Sequence, residues 1–158
     1  METTHQPRTS GMRPAGWILA AIAIFFIFLA WWQVLGGGQA LVSRDLTGAD
    51  GTPLRYLAPE GADAVPGVVV AHGFAGSKQL MLGFANALAR AGYAVMLFDF
   101  DGHGAARGRL DADGEALQRN LAVAHDALID QPEVDPSRIA LLGHSMGSGA
   151  VMAAAIES

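Results

Sequence analysis

Apolar positions fall into two regimes along the chain. From Trp17 to Leu35 the residues read WILAAIAIFFIFLAWWQVL, nineteen positions with Gln33 as the one strongly polar member and no charge. A helix of that length rises roughly 28 Å, close to the roughly 30 Å of a bilayer's hydrocarbon core, so a transmembrane helix over 17–35 is expected. It is apolar on every side, unlike a buried globular helix, which keeps a polar edge. Trp17 at one end and Trp31 and Trp32 near the other suit the interfacial preference of indole rings. The same stretch also reads as a cleaved secretory signal, with Arg8 and Arg13 as a basic leader and Gly38-Gln39-Ala40 as a small-residue exit. Its length and its aromatic pair favour an uncleaved anchor in the membrane. Arg8 and Arg13 lie nearer the span than Arg44 and Arg55, which places the amino terminus inside and the domain outside.

The flanks divide the rest. Residues 1–16 carry Pro7, Gly11, Pro14 and Gly16 without an apolar period and are expected to form a disordered tail. Residues 36–40 begin with three glycines and read as a flexible linker. From 41 to 158 the second regime holds. A hairpin is expected from Ala40–Leu46 and Pro53–Leu57 around Asp50-Gly51, a dipeptide that tolerates the positive φ of a tight reversal. Three short unbroken apolar runs follow, Val68–Ala71, Ala94–Phe98 and Ile139–Leu142, as parallel strands covered on both faces require. Between the first two, Leu80, Met81, Phe84, Ala85 and Leu88 recur at helical spacing before a stop at Gly92. Between the second and third, Leu117, Leu121, Ala124 and Leu128 make one stripe ended by Pro132. Strands alternating with helices predict an α/β domain, a mostly parallel sheet with helices on both faces.

Composition narrows the function. With 51% hydrophobic and 16% charged residues the chain is too apolar to be disordered throughout. Ten Lys and Arg against fifteen Asp and Glu give a net charge of -5 without a basic run, so no nucleic-acid partner is expected. The absence of cysteine removes disulfides, thiolate metal sites and a cysteine nucleophile together.

The third apolar run leads into Gly143-His144-Ser145-Met146-Gly147, a G-x-S-x-G sequence between a predicted strand and a predicted helix. A serine held on so sharp a turn adopts strained backbone angles, and side chains two positions away on either side would collide with neighbouring backbone. Gly143 and Gly147 therefore serve as clearance. The turn lifts the Ser145 hydroxyl beyond the carboxyl edge of the sheet, and the helix starting beside it aims N–H groups at any negative oxygen formed there. Ser145 is the candidate nucleophile. The bland alternative is a glycine-rich turn that packs tightly or cradles phosphate, although the Lys followed by Ser or Thr of a phosphate loop is missing.

On these residues the chain resembles the α/β-hydrolase superfamily, in its dienelactone-hydrolase-like and serine-aminopeptidase-like bacterial branch. Besides the elbow, Val70-Ala71-His72-Gly73-Phe74-Ala75-Gly76 is similar to the family's HG loop, and Phe98-Asp99-Phe100-Asp101-Gly102-His103-Gly104 to its D-x-R-G-H-G segment. Asp135-Pro136-Ser137-Arg138 matches the usual lead-in to the elbow strand. The resemblance implies an oxyanion hole made by the backbone N–H groups of Met146 and Phe74, with His72 and Gly73 as structural members of the loop. It implies an acyl substrate and neither cofactor nor metal. His103 and His144 are expected to be scaffold and His125 to be solvated. Asp101 stands where the family carries Arg, and is expected to lose an ion pair common in relatives. Asp99 is expected to order its turn rather than to pair with Asp101 on a metal. The run Asp111-Ala112-Asp113-Gly114-Glu115 is expected to be a polar loop and a helix start.

A serine of this kind needs a histidine to take its proton and an acid to orient that histidine. In the family both follow the serine, yet only thirteen residues follow Ser145, with Glu157 the one acid and no histidine. The sequence thus reads as the amino-terminal part of a membrane-anchored serine hydrolase cleaving an ester, thioester or amide, inactive and aggregation-prone on its own. The alternative is a noncatalytic hydrolase-like module that binds a small ligand or a protein at the same edge.

Overall fold

The computed structural model describes residues 14–36, 40–109 and 114–157. The chain separates into two compact units, residues 1–38 and 39–158. In the first, α1 runs from Pro14 to Gly36. The side chains described on it, from Gly16 to Trp32, are apolar and almost all exposed. Among the described residues no helix is long and apolar enough to cross a membrane, so the span expected over 17–35 is met here only as a helix. Of the tail expected over 1–16, Pro14–Gly16 belong to α1 and the rest lies outside the described residues, as do positions 37–39 of the linker.

The second unit is a five-stranded sheet with helices on both faces. Strands β1 (Leu41–Thr47), β2 (Pro53–Pro59), β3 (Val65–Ala71), β4 (Ala94–Phe98) and β5 (Val134–Gly143) lie in the order β1-β2-β4-β3-β5. The expected hairpin is present: Leu41 pairs with Pro59 and Thr47 with Pro53. Its turn is closed by Gly51 at φ 91° and by the Thr52 N–H donating to Asp50 Oδ1 at 2.9 Å. The expectation of a mostly parallel sheet is corrected to a mixed one. The hairpin docks through β2, which runs antiparallel to β4, so only β4, β3 and β5 are mutually parallel.

Alternation along the strands explains the two layers, because neighbouring side chains point to opposite faces. On one face Tyr56, Val69, Met96 and Phe98 pack with Leu121, Ala124 and Leu128 of α3 (Glu115–Ile129) and Ala150 of α4 (Met146–Glu157). On the other face Leu57, Val68, Val70, Val95 and Leu97 pack with Ala85 and Ala89 of α2 (Leu82–Arg90). Gly92, at φ 97°, ends α2 where the sequence placed its stop. Gly67 marks a close approach of β3 to the first layer: a Cβ there would lie 2.9 Å from Leu128 Cδ2. β3 and β5 both start earlier than their apolar runs, pairing Val65 with Val134 ahead of a register shift. Of the run 111–115, residues 111–113 lie outside the described residues, while Glu115 opens α3 as expected.

Candidate active site

β5 delivers the elbow. It ends at Gly143, α4 begins at Met146, and Ser145 sits between them, exposed, at φ 52°. A positive φ at a residue with a Cβ is strained by about 1–3 kcal/mol and persists only where the surroundings enforce it. Here they do. A Cβ on Gly147 would lie 2.6 Å from Ala71 O and 2.7 Å from His72 O, so α4 can seat against the end of β3 only through a glycine. A Cβ on Gly143 would strike the Gly147 carbonyl. The His144 N–H donates to Ala71 O at 3.0 Å and the Ser148 hydroxyl to Gly143 O at 2.8 Å, which closes the turn from both sides.

The loop after β3 approaches the elbow directly. A Cβ on Gly73 would lie 2.8 Å from His144 Nδ1 and 3.1 Å from Ser145 Cβ. Phe74 and Ala75 follow, with Ala75 at φ 53° and the Gly76 N–H returning to Gly73 O at 3.0 Å. A cavity of about 260 Å³ is bordered by Ser145, His144, Gly73, Phe74, Met81 and Phe84, among others. The structure therefore brings Ser145 and the Phe74 loop to one cavity, with Met146 the next residue after the serine. The N–H of Met146 belongs to the first turn of α4, where no intrahelical acceptor exists for it.

The histidines divide clearly. His72 is buried, its Nδ1 stands 2.8 Å from Gly73 O, and its Nε2 accepts the Phe100 N–H at 3.1 Å. Burial lowers its pKa, against the hydrogen bond to Gly73, so the ring is a neutral brace. His103 Nδ1 lies 3.1 Å from Asp101 O, and its ring stands edge-on to Phe74 at 5.5 Å. His125 is exposed beside Asp126, on the rim of a second cavity of about 690 Å³ between α3, β5 and α4. His144 lines the serine's cavity, but among the described residues no histidine nitrogen hydrogen-bonds Ser145 Oγ.

The two aspartates part company. Asp99 orders its turn, as expected, accepting the N–H of Lys78 at 2.7 Å and of Ala105 at 2.9 Å. It also forms a buried ion pair with Lys78 Nζ at 2.6 Å, a partner the sequence reading missed. Burial pushes the carboxyl's pKa upward, but these hydrogen bonds and the ammonium charge outweigh it and leave the pKa lowered. Asp101 faces the other way, toward α3. It makes an ion pair of its own with Arg119 Nη2 at 2.9 Å, one turn into α3, while its N–H donates to Asn120 Oδ1.

The chain is similar to known proteins in sequence and fold. The pattern of the family described as serine aminopeptidase, S33, matches residues 63–158. An uncharacterized 31.7 kDa Escherichia coli protein is 33% identical over 69% of this chain and 39% of its own length. The sn-1-specific diacylglycerol lipase ABHD11 of Mus musculus is 33% identical over 66% of this chain and 33% of its own. A dienelactone hydrolase-like promiscuous phosphotriesterase, P91, from metagenomic libraries superposes with a TM-score of 0.61 at 29% identity, over 72% of this chain and 53% of that one. The chain thus spans between a third and two fifths of the length of these curated relatives. With an apolar-cored α/β sheet, a G-x-S-x-G turn at its edge and a pattern match over most of that sheet, the chain belongs to the serine aminopeptidase S33 family of α/β hydrolases.

Proposed function

We propose that this chain carries the nucleophile of a serine hydrolase that cleaves an ester, thioester or amide through an acyl-enzyme on Ser145. The observation that carries this reading is the exposed Ser145 held at φ 52° between β5 and α4, facing the Phe74 loop across a cavity. Ser145 Oγ attacks the substrate carbonyl as its proton passes to a histidine base. The oxyanion takes the N–H groups of Met146 and Phe74, and its collapse expels the alcohol, thiol or amine, which leaves with that proton. Water, deprotonated by the same base, then releases the acid and restores the serine. Both nitrogens of His72 are engaged, so this ring is not that base. In the full-length protein, a serine-directed fluorophosphonate should label Ser145, and Ser145→Ala should abolish the label; persistent labelling of the variant would move the nucleophile elsewhere.

A second reading is a noncatalytic module binding a ligand or partner at this edge, where the exposed Phe74 borders the cavity beside Ser145. A full-length protein that binds acyl compounds in this cavity but takes no phosphonate would establish it.

We further propose attachment to a lipid bilayer through residues 17–35, with the amino terminus inside and the domain outside. The uncharged apolar run and the exposed side chains of α1 support this. Retention in the membrane pellet after an alkaline carbonate wash tests it, and release into the medium would instead mark 17–35 as a cleaved signal.

A further inference from the structure

The segment that carries Phe74 is tied to the neighbouring loop at both ends. At its start, His72 Nε2 accepts the Phe100 N–H at 3.1 Å. At its end, Lys78 gives Asp99 both its main-chain N–H, at 2.7 Å, and its ammonium, at 2.6 Å. Between the ties lies Ala75 at φ 53°, a conformation that relaxes unless something holds it. The Lys78 and Asp99 side chains are only 6% and 0% exposed. A lysine in a surface loop normally keeps its ammonium in water, since burying it brings a desolvation penalty that a well-formed pair only roughly offsets. Such a pair adds little to net stability and is better understood through the geometry it imposes. Two N–H donors from Lys78 and Ala105 would satisfy an uncharged acceptor equally well; the ammonium neutralises a carboxylate whose three bonds converge on one point.

We propose that the Lys78–Asp99 pair is a positioning clamp: it holds the strained turn at Ala75 so that the Phe74 main-chain N–H stays presented to Ser145. This rests on the serine-hydrolase reading. The pair touches neither substrate nor nucleophile and acts through the loop.

The test uses the full-length protein, p-nitrophenyl butyrate as substrate and a fluorophosphonate to titrate Ser145, so that activity is counted per competent serine. Lys78→Met should lower kcat per titrated serine by about 100-fold, the size of effect expected when a remote change misplaces one oxyanion donor, with KM changed less than about twofold. Lys78→Arg, which keeps the cation, should restore most of it. The charge-neutral double variant Lys78→Met, Asp99→Asn should show the same kcat loss, and it decides the matter if Lys78→Met fails to accumulate. An unchanged kcat per titrated serine, with only the melting temperature lowered, would overturn the clamp and leave the hydrolase reading standing. A wild-type protein in which Ser145 takes no label would overturn the hydrolase reading, and the clamp's role in it as well.

Discussion

The main-chain N–H of Phe100 donates to Nε2 of His72, and with Nδ1 against the Gly73 carbonyl the ring is left with no free nitrogen for Ser145. A histidine used this way is a cross-brace between the loops after β3 and β4, and it works only while neutral, because Nε2 must accept. That requirement makes fold stability depend on pH. The ring's folded pKa lies below the ordinary imidazole value of about 6.5, so the unfolded chain binds the proton more readily. The brace's contribution is whole above about pH 6.5 and is lost as pH falls through that value toward the folded pKa. Melting temperature should therefore drop between pH 8 and pH 5, and His72→Gln should flatten that part of the profile; a wild-type profile flat over the window would refute the assignment.

Ser145 and stability should pull in opposite directions. Ser145→Gly removes the positive-φ strain and is expected to raise unfolding free energy by about 1 kcal/mol, while ending phosphonate labelling. Thermal melts on the two proteins check this, and equal melting temperatures would show an unstrained elbow.

Two glycines of α4 should answer differently to the same change. Gly147→Ala drives a methyl against the Ala71 and His72 carbonyls, which belong to β3 and the loop beyond it and cannot swing aside. A loss of about 3 kcal/mol or more, or failure to fold, is expected from such overpacking. Gly149→Ala meets nothing within 4 Å and should gain about 0.5–1 kcal/mol from helix propensity. Denaturant unfolding of the pair is the measurement, and a mild Gly147→Ala would mean that the helix can retreat from β3.

The two ion pairs of the 99–101 segment should differ as sharply. Arg119 is half exposed, and its pair with Asp101 is worth about 0–1 kcal/mol, so Arg119→Ala should be nearly silent in urea unfolding. Lys78→Ala strands a buried carboxylate and should lose about 3–5 kcal/mol. Equal effects would show that burial does not separate them.

Much of this was legible in the residues. The unbroken runs at Val68 and Ala94 announce strands covered on both faces, the run at Ile139 is a strand as well but one left partly uncovered, with Ala140 exposed, and glycines at 143 and 147 announce a turn without room for side chains. The direction of β2 was not legible, because Leu57 and Ala58 are as buried as the parallel strands they accompany and nothing local sets a partner. Asp135-Pro136-Ser137-Arg138 reads as a lead-in to the elbow strand yet lies within β5, where the shifted pairing of Val65 with Val134 extends the strand past its apolar core. Lys78 carries no signal in one dimension: its meaning comes from Asp99, twenty-one residues away, which the β3–β4 crossover brings beneath it. Asp101 and Arg119 are invisible as a pair for the same reason.

β5 has a single strand neighbour among the described residues, and that strand is β3. The alignment of the serine with the Phe74 loop is thus set by one ladder, from Gly67 opposite Ile139 to Ala71 opposite Gly143, and its last rung is the bond from His144 to Ala71. Since side chains alternate in direction, displacement by one residue along that ladder would point the hydroxyl to the far side of the sheet. A push on β5 alone would therefore move the serine relative to that loop without touching either.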